Sequence, residues 1–338
     1  MKLKVLVTGA NGFAGSHILE SLAKMKNVSA IAACRDKTKL PDWFQGEVRT
    51  GDLRDPAYLS SLVRDVDVIC HAAAWTAVWN HAKISQKLFL QPSLALIDAA
   101  LAAGVKKFVF LNTVSAAAPE TSSDANSPGI SKNLWPHLEN VIKIENYLRS
   151  HACDRFRVVN IRAGHFIGKN YSLGILPLLL PRLKTHLVPY VNGGKTGMPL
   201  VDGEDVGQAF ALAATTDLKS NYEGFNIVGS EIPTVRQVIE FLHEEYGYPK
   251  PHFSVPFFIA YPFAWLMEQI SRIFPFDPLV TRSIILLLEE TGVDNSRANR
   301  FLGYQPSVHW KESIRKQVAE MEIRQIKPMK MAREVYNV

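Results

Sequence analysis

"KVLVTGANGFAGSHI", residues 4–18, decides the fold. Its first five residues form a short apolar run that stops at a glycine, the pattern of a strand buried on both faces. The next stretch, "SHILESLAKM" (16–25), spaces its apolar residues as a helix does. Between them stand Gly9, Gly12 and Gly15. Gly9 suits a tight turn, Gly12 lets a pyrophosphate approach the backbone, and Gly15 lets the helix pack closely, while the first-turn amides face an anion. A lone glycine triplet can be a plain structural loop. The order of strand, loop and helix, with Asn11 and Phe13 filling the loop, favours a dinucleotide seat.

Strand-like runs recur at 28–34, 66–71, 107–111 and 156–161, and helical patterns lie between them near 56–64, 84–103 and 136–150. Such alternation predicts an α/β chain with a Rossmann-type doubly wound parallel sheet. After about residue 170 the pattern changes to short strands and amphipathic segments at 204–215, 235–246 and 310–325. The expected division is therefore a dinucleotide-binding domain over 1–170, a smaller mixed α/β substrate lobe over 171–325 whose chain crosses back to the first domain, and a basic tail over 326–338. The loop 116–130, rich in Ser, Pro and Asn without apolar periodicity, is expected to be a mobile flap.

Composition narrows the function. With 338 residues and 47% apolar content the chain can bury a large core, which excludes a disordered class. The net charge of +6 is scattered among acids with no long basic run before the tail, so no nucleic-acid partner is expected; it suits a polyanionic cofactor. Cys34, Cys70 and Cys153 form neither CxxC nor a metal cluster, so no metal and a reducing compartment are expected. The apolar runs 175–181 and 255–267 contain prolines and are too short to span a bilayer, which makes the expected location cytoplasmic, with membrane-surface contact left open.

The end of the second predicted strand, "AACRDKTK" (32–39), is where such a fold selects the adenosine ribose. Arg35 offers a planar fork of donors to a 2′-phosphate, so NADP(H) is expected over NAD(H); the alternative is a solvated turn in which Asp36 caps or pairs.

Taken together, these motifs resemble the extended short-chain dehydrogenase/reductase family over nearly the whole chain. "VTGANGFAG" (7–15) resembles its glycine motif, and "GDLRD" (51–55) the segment whose acid, here Asp52 beside Leu53, faces the adenine. "DVICHAAA" (67–74) is similar to the family's fourth strand, implying that Ala72, Ala73 and Ala74 line the cofactor and that His71 is structural. "KFVFLNTVS" (107–115) resembles the strand that delivers the active-site hydroxyl, matched by Thr113, with Ser115 near the substrate. "RVVNIRAGHFIGKN" (157–170) resembles the RPxxxxGP segment, with Ala163 in place of Pro before Gly164. "PLVDGEDVGQAF" (199–210) and "VDNSRANRFLGYQPSVHWKESI" (293–314) match later family patterns. With "VPFFIAYPFAWLMEQI" (255–270), the likeness is greatest to the branch of 3β-hydroxysteroid dehydrogenases and dihydroflavonol reductases.

The resemblance implies a Tyr-x-x-x-Lys pair at the start of the helix after the flap. Aligning "ENYL" (145–148) with the family's E-x-x-L puts His137 in the Tyr position and Val141 in the Lys position. No other register supplies the pair, and Pro136 fits only as a first-turn residue. Three readings follow: a reductase in which His137, as imidazolium, replaces Tyr and Thr113 orients the substrate oxygen; a non-redox isomerase, lyase or cyclase; or a non-catalytic binding member. The first is preferred, its substrate being an apolar, ring-containing or lipid-like carbonyl, iminium or enone. Expected wall residues are Trp75, Trp79, His165 and Phe166, joined by the aromatic run Phe257, Phe258, Tyr261, Phe263 and Trp265. The resemblance also implies a homodimer through 84–103 and 136–150.

Overall fold

A computed structural model describes residues 2–117, 124–274, 276–289 and 292–324. The expected tail 326–338 and the middle of the expected flap, 118–123, lie outside the described residues.

The first half alternates strands and helices. β1 (Leu3–Thr8), α1 (Phe13–Ala23), β2 (Val28–Cys34), β3 (Glu47–Thr50), α2 (Pro56–Leu62) and β4 (Val68–His71) lead into a long helical run of α3 (Ala82–Ser85), a π-turn (Gln86–Leu90) and α4 (Gln91–Ala102). Pro92 accounts for the π-turn: its ring has no N–H for the carbonyl of Leu88 and crowds it, so the preceding turn widens. β5 (Lys107–Thr113), α5 (Pro136–His151) and β6 (Arg157–Ala163) complete this half.

The second half holds β7 (His165–Ile167), α6 (Ile175–Leu183), β8 (Tyr190–Val191), β9 (Leu200–Asp202), α7 (Gly203–Thr215), β10 (Tyr222–Ile227), α8 (Val235–Tyr246), β11 (Ser254–Val255), α9 (Phe257–Ile273), α10 (Arg282–Leu286), α11 (Ser296–Leu302) and α12 (Trp310–Arg324). The main sheet runs β10-β6-β5-β4-β1-β2-β3, with every neighbouring pair parallel, so the expected doubly wound sheet is what the chain forms.

Side-chain alternation along β1 feeds two cores. Val5 and Val7 pack with α1 and α7 on one face, while Leu6 packs with α2, α4 and α5 on the other. The chain returns from the lobe to supply α7 and the edge strand β10, Tyr222 lying opposite Val158. A Cβ on Gly207 of α7 would stand 2.3 Å from the His17 carbonyl oxygen, so α7 and α1 touch along their backbones. The lobe has its own core, which includes Leu176, Leu180, Val238, Leu242, Trp310 and Ile314.

One expectation changes. Residues 124–130 are not a free flap: the Gly224 amide donates to Asn126 Oδ1 at 2.6 Å, and buried Arg162 donates to the Ser127 carbonyl at 2.6 Å. Polar composition marked this stretch as a loop, but the Asn126 side chain and the Ser127 carbonyl anchor it.

Candidate functional site

The sheet order reverses between β1 and β4, and the glycine loop lies at that switch point. Gly9 holds φ at +66°, which favours glycine, and a Cβ there would stand 2.8 Å from Ala73 Cα and N. Gly15 presses α1 onto the turn: its Cβ would meet the Gly9 carbonyl oxygen at 2.1 Å. Gly12 precedes α1 in an extended conformation, no side chain caps that helix end, and a Cβ on it would meet only the Gly9 oxygen, at 3.2 Å. This cradle, which a Cβ would fill, fits a pyrophosphate on the helix's first-turn amides.

Asn11 Nδ2 donates to the Asp36 carbonyl at 3.1 Å, tying the loop to the end of β2. The Asp36 carboxylate accepts from the Thr38 amide at 3.0 Å and caps the turn Lys37–Lys39, and Arg35, Lys37 and Lys39 stand exposed around it. Asp52 accepts from Arg54 at 2.6 Å; those bonds hold its carboxyl down to about 2, with the Arg35 charge adding to the effect. Leu53 packs beneath, against the α2–α4 side of the sheet. His71 is buried, bonded through Nδ1 to Thr8 Oγ1 at 2.7 Å and through Nε2 to Ser93 Oγ at 3.0 Å. Burial pushes its pKa down to about 4, so it is a neutral pin beneath Ala72 and Ala73.

Beyond the loop a cavity of about 340 Å³ opens at the carboxyl ends of β4, β5 and β6. Thr113, His137 and Val141 line it together with Ala74, Trp75, Trp79, Ala163, Gly164, His165 and Phe166. Pro136 occupies the first turn of α5 as expected, setting His137 above Val141 on one face. The Thr113 amide donates to Asn112 Oδ1 at 2.7 Å, and its Oγ1 accepts from the Ser115 amide at 3.2 Å. Asn112 in turn donates to Glu145 Oε2 at 2.8 Å and to Asn160 Oδ1 at 3.0 Å. Glu145 is fully buried and pairs with buried Arg162 at 2.8 Å. Thr113 is thus held, through Asn112, over a buried ion pair.

His137 departs from the expectation of an imidazolium. Its ring lies among Phe89 and Trp135, with centroids 5.1 and 5.9 Å away, and Nδ1 has no hydrogen-bond partner among the described residues. Burial pushes its pKa down to about 4, partly offset by a hydrogen bond with the Trp75 main chain, so the ring is neutral at pH 7. Burial likewise pushes His165 down to about 4.

Other expected wall residues lie elsewhere. Ser115 is buried in the turn Val114–Ala116 and lines no part of this cavity. The run Phe257, Phe258, Tyr261, Phe263 and Trp265 also stays out of it: α9 packs through Ala260 and Ala264, with Phe257 and Tyr261 half-buried beside them, and turns Phe258, Phe263 and Trp265 outward. Lys143 lines a separate cavity with Glu139, Arg272 and Arg282, and Lys132 pairs with Glu289 at 2.9 Å, so neither lysine reaches Thr113's cavity.

Tyr171 was not singled out by its sequence. It lines the cavity, its ring lies 4.4 Å from that of Phe13 in the glycine loop, and burial pushes its hydroxyl pKa up. Its only sequence signal is its place directly after "GHFIGKN" (164–170).

A parallel sheet with a glycine cradle at its switch point and a pocket beside it defines a dinucleotide-dependent enzyme fold. The family model described as "NAD dependent epimerase/dehydratase family" matches residues 5–227, well over half of the chain. The chain belongs to that family, within the extended short-chain dehydrogenases/reductases. It is 24% identical over 346 residues to an Arabidopsis thaliana protein named 3beta-hydroxysteroid-dehydrogenase/decarboxylase isoform 2, covering 93% of this chain and 61% of that one, so the chain spans less than two thirds of that relative. It is 24% identical over 339 residues to the Escherichia coli protein YbjS, covering 94% and 97%. Among solved structures, gox2253 superposes with a TM-score of 0.75 at 21% identity, covering 95% of this chain and 98% of that one. A Bacillus cereus UDP-glucuronic acid 4-epimerase, in complex with UDP-glucuronic acid and NAD, superposes with a TM-score of 0.72 at 19% identity, covering 95% and 100%.

Proposed function

We propose that this chain is an NADP(H)-dependent reductase of an apolar, ring-containing or lipid-like carbonyl, iminium or enone. The observation that carries the reading is the shared cavity: Thr113 and His137 line a mainly apolar pocket beside the glycine cradle. When bound, NADP(H) supplies a hydride. Thr113 orients the acceptor through its hydroxyl, and Trp75, Phe89, Leu111 and Val141 exclude water from it. A neutral His137 has one N–H, which its hydrogen bond with the Trp75 main chain engages in this structure; turned to the acceptor it donates a hydrogen bond to developing negative charge instead of passing on an imidazolium proton, and the proton that completes an alcohol is taken up from solvent as product leaves. Acceptors that need little acid help, an iminium or a conjugated alkene, suit this site best.

Thr113→Ala and His137→Ala should each lower kcat by about 10²-fold, the scale of one lost preorganised donor, measured as NADPH consumption over a panel of such acceptors. The rate should show no limb near pH 6.5 from His137, because the ring is already neutral there. Full turnover in His137→Ala with loss in Thr113→Ala would remove His137 from the mechanism. Loss of turnover in Tyr171→Phe alone would move the donor role to Tyr171.

The cofactor preference rests on Arg35, exposed at the end of β2 where Asp36 is committed to its cap. Arg35→Asp should weaken NADPH binding by about 10–100-fold, the worth of a charge-assisted bond or two, and NADH far less. A fluorescence titration with each nucleotide reads this directly, and equal weakening would refute the 2′-phosphate contact.

A further inference from the structure

The face of α9 turned away from the protein is more apolar than the face turned toward it. Ala260, Ala264 and Glu268, four residues apart, are buried, whereas Phe258 is 75% exposed, Ile273 77% and Trp265 47%, with Ile259, Phe263 and Leu266 beside them. An ordinary surface helix has the opposite arrangement. The patch continues past the helix through exposed Phe274, Phe276 and Leu279, and toward the start of the helix through Phe253, whose carbonyl accepts from the Tyr190 amide at 3.0 Å. Exposed Leu187 lies on the neighbouring turn, where the His186 and His252 rings stack 6.0 Å apart. Scattered apolar residues are normal on a protein surface; a continuous run of this kind marks a contact.

We infer that α9 and the segment after it lie on the surface of an anionic phospholipid membrane, and that apolar substrate reaches the cavity from that surface. Charge and shape choose this occupant. The charged groups of α9 are Glu268, buried against Arg282 at 2.8 Å, and exposed Arg272. Exposed Lys184 and Lys250 flank the Leu187 and Phe253 end. Asp277, the exposed carboxylate of this segment, lines the cavity near His81. Aromatic and aliphatic side chains with surrounding cations are what an interfacial helix presents to acidic headgroups. No helix among the described residues is long and apolar enough to cross a membrane, so α9 lies along the surface rather than through it.

The second half of the inference rests on the proposed apolar substrate. Asp277 and Pro278 line the cavity, with exposed Phe276 and Leu279 on either side of them, and Leu173 both lines the cavity and is exposed. The mouth of the site therefore opens within the apolar patch.

The test is co-sedimentation of the full chain with vesicles of phosphatidylcholine alone and of phosphatidylcholine mixed with phosphatidylglycerol. Binding should favour the anionic vesicles, and Phe258→Glu with Phe263→Glu should weaken it at least about tenfold. Arg272→Glu should weaken it by about fivefold on the anionic vesicles only. NADPH titration of the same variants, expected unchanged, shows that they are folded and tests the cofactor reading separately from docking. Absence of sedimentation with both vesicles would overturn the inference. So would a concentration-dependent dimer that Phe258→Glu abolishes in a protein that does not bind vesicles, because the face would then join two copies.

Discussion

Glu145→Ala should cost about 3–5 kcal/mol of folding stability, because it strands a charge in the interior. Arg162 is 1% exposed, its Nε already has no partner among the described residues, and without Glu145 its guanidinium keeps, of the bonds made to described residues, the one to the Ser127 carbonyl at 2.6 Å. Asn112, which holds the Thr113 amide, loses one of its two acceptors and keeps Asn160, and Tyr222, whose hydroxyl donates to Glu145 at 3.3 Å, loses that acceptor. The denaturation midpoint should fall with an unchanged slope. The double variant Glu145→Leu with Arg162→Met should lose less than Glu145→Ala alone, since an apolar pair leaves no charge unpaired. A loss below about 1 kcal/mol for Glu145→Ala would mean that water or rearrangement relieves Arg162, and the ion pair would not be what supports the site.

Gly15→Ala and Gly12→Ala should separate two roles of one loop. At Gly15 the new methyl would stand 2.1 Å from the Gly9 oxygen and 2.8 Å from Ala10 Cα, both backbone atoms that no rotamer change can clear. Helix α1 must move off the turn, at about 1–3 kcal/mol, and cofactor binding should weaken by at least about tenfold as its amides shift. At Gly12 the methyl meets only one atom at 3.2 Å, so stability should hold while the methyl fills the seat of the pyrophosphate and binding falls. Thermal melts paired with NADPH titrations check both. If Gly12→Ala bound NADPH as well as the parent, the cradle would not be the phosphate seat.

Local pattern was enough for the sheet and the loop. β1, α1 and the glycine spacing are properties of the 21 consecutive residues 3–23, and the alternating strands and helices declare their periods without help from distant neighbours. The missing Tyr and Lys were legible for the same reason, since His137 and Val141 are fixed by counting along one helix. The ion pair beneath the site left a fainter trace: Arg162 inside the apolar "VVNIRAG" (158–164) and Glu145 on the inward face of α5 are charges where burial is expected.

Tertiary structure decided the rest, because burial is the sum of neighbours far apart in the chain. His137 loses its proton to burial among Phe89 and Trp135, against the opposing pull of the Trp75 main chain, none of which a helix register reveals. Ser115 turns inward and Tyr171 comes to the cavity through the packing of whole elements. The aromatic run of α9 carries the clearest lesson. Its spacing identifies a helix with a strong apolar face, but which face meets the protein depends on where small residues let α9 approach its neighbours. Ala260 and Ala264 allow that approach, so Phe258, Phe263 and Trp265 face outward.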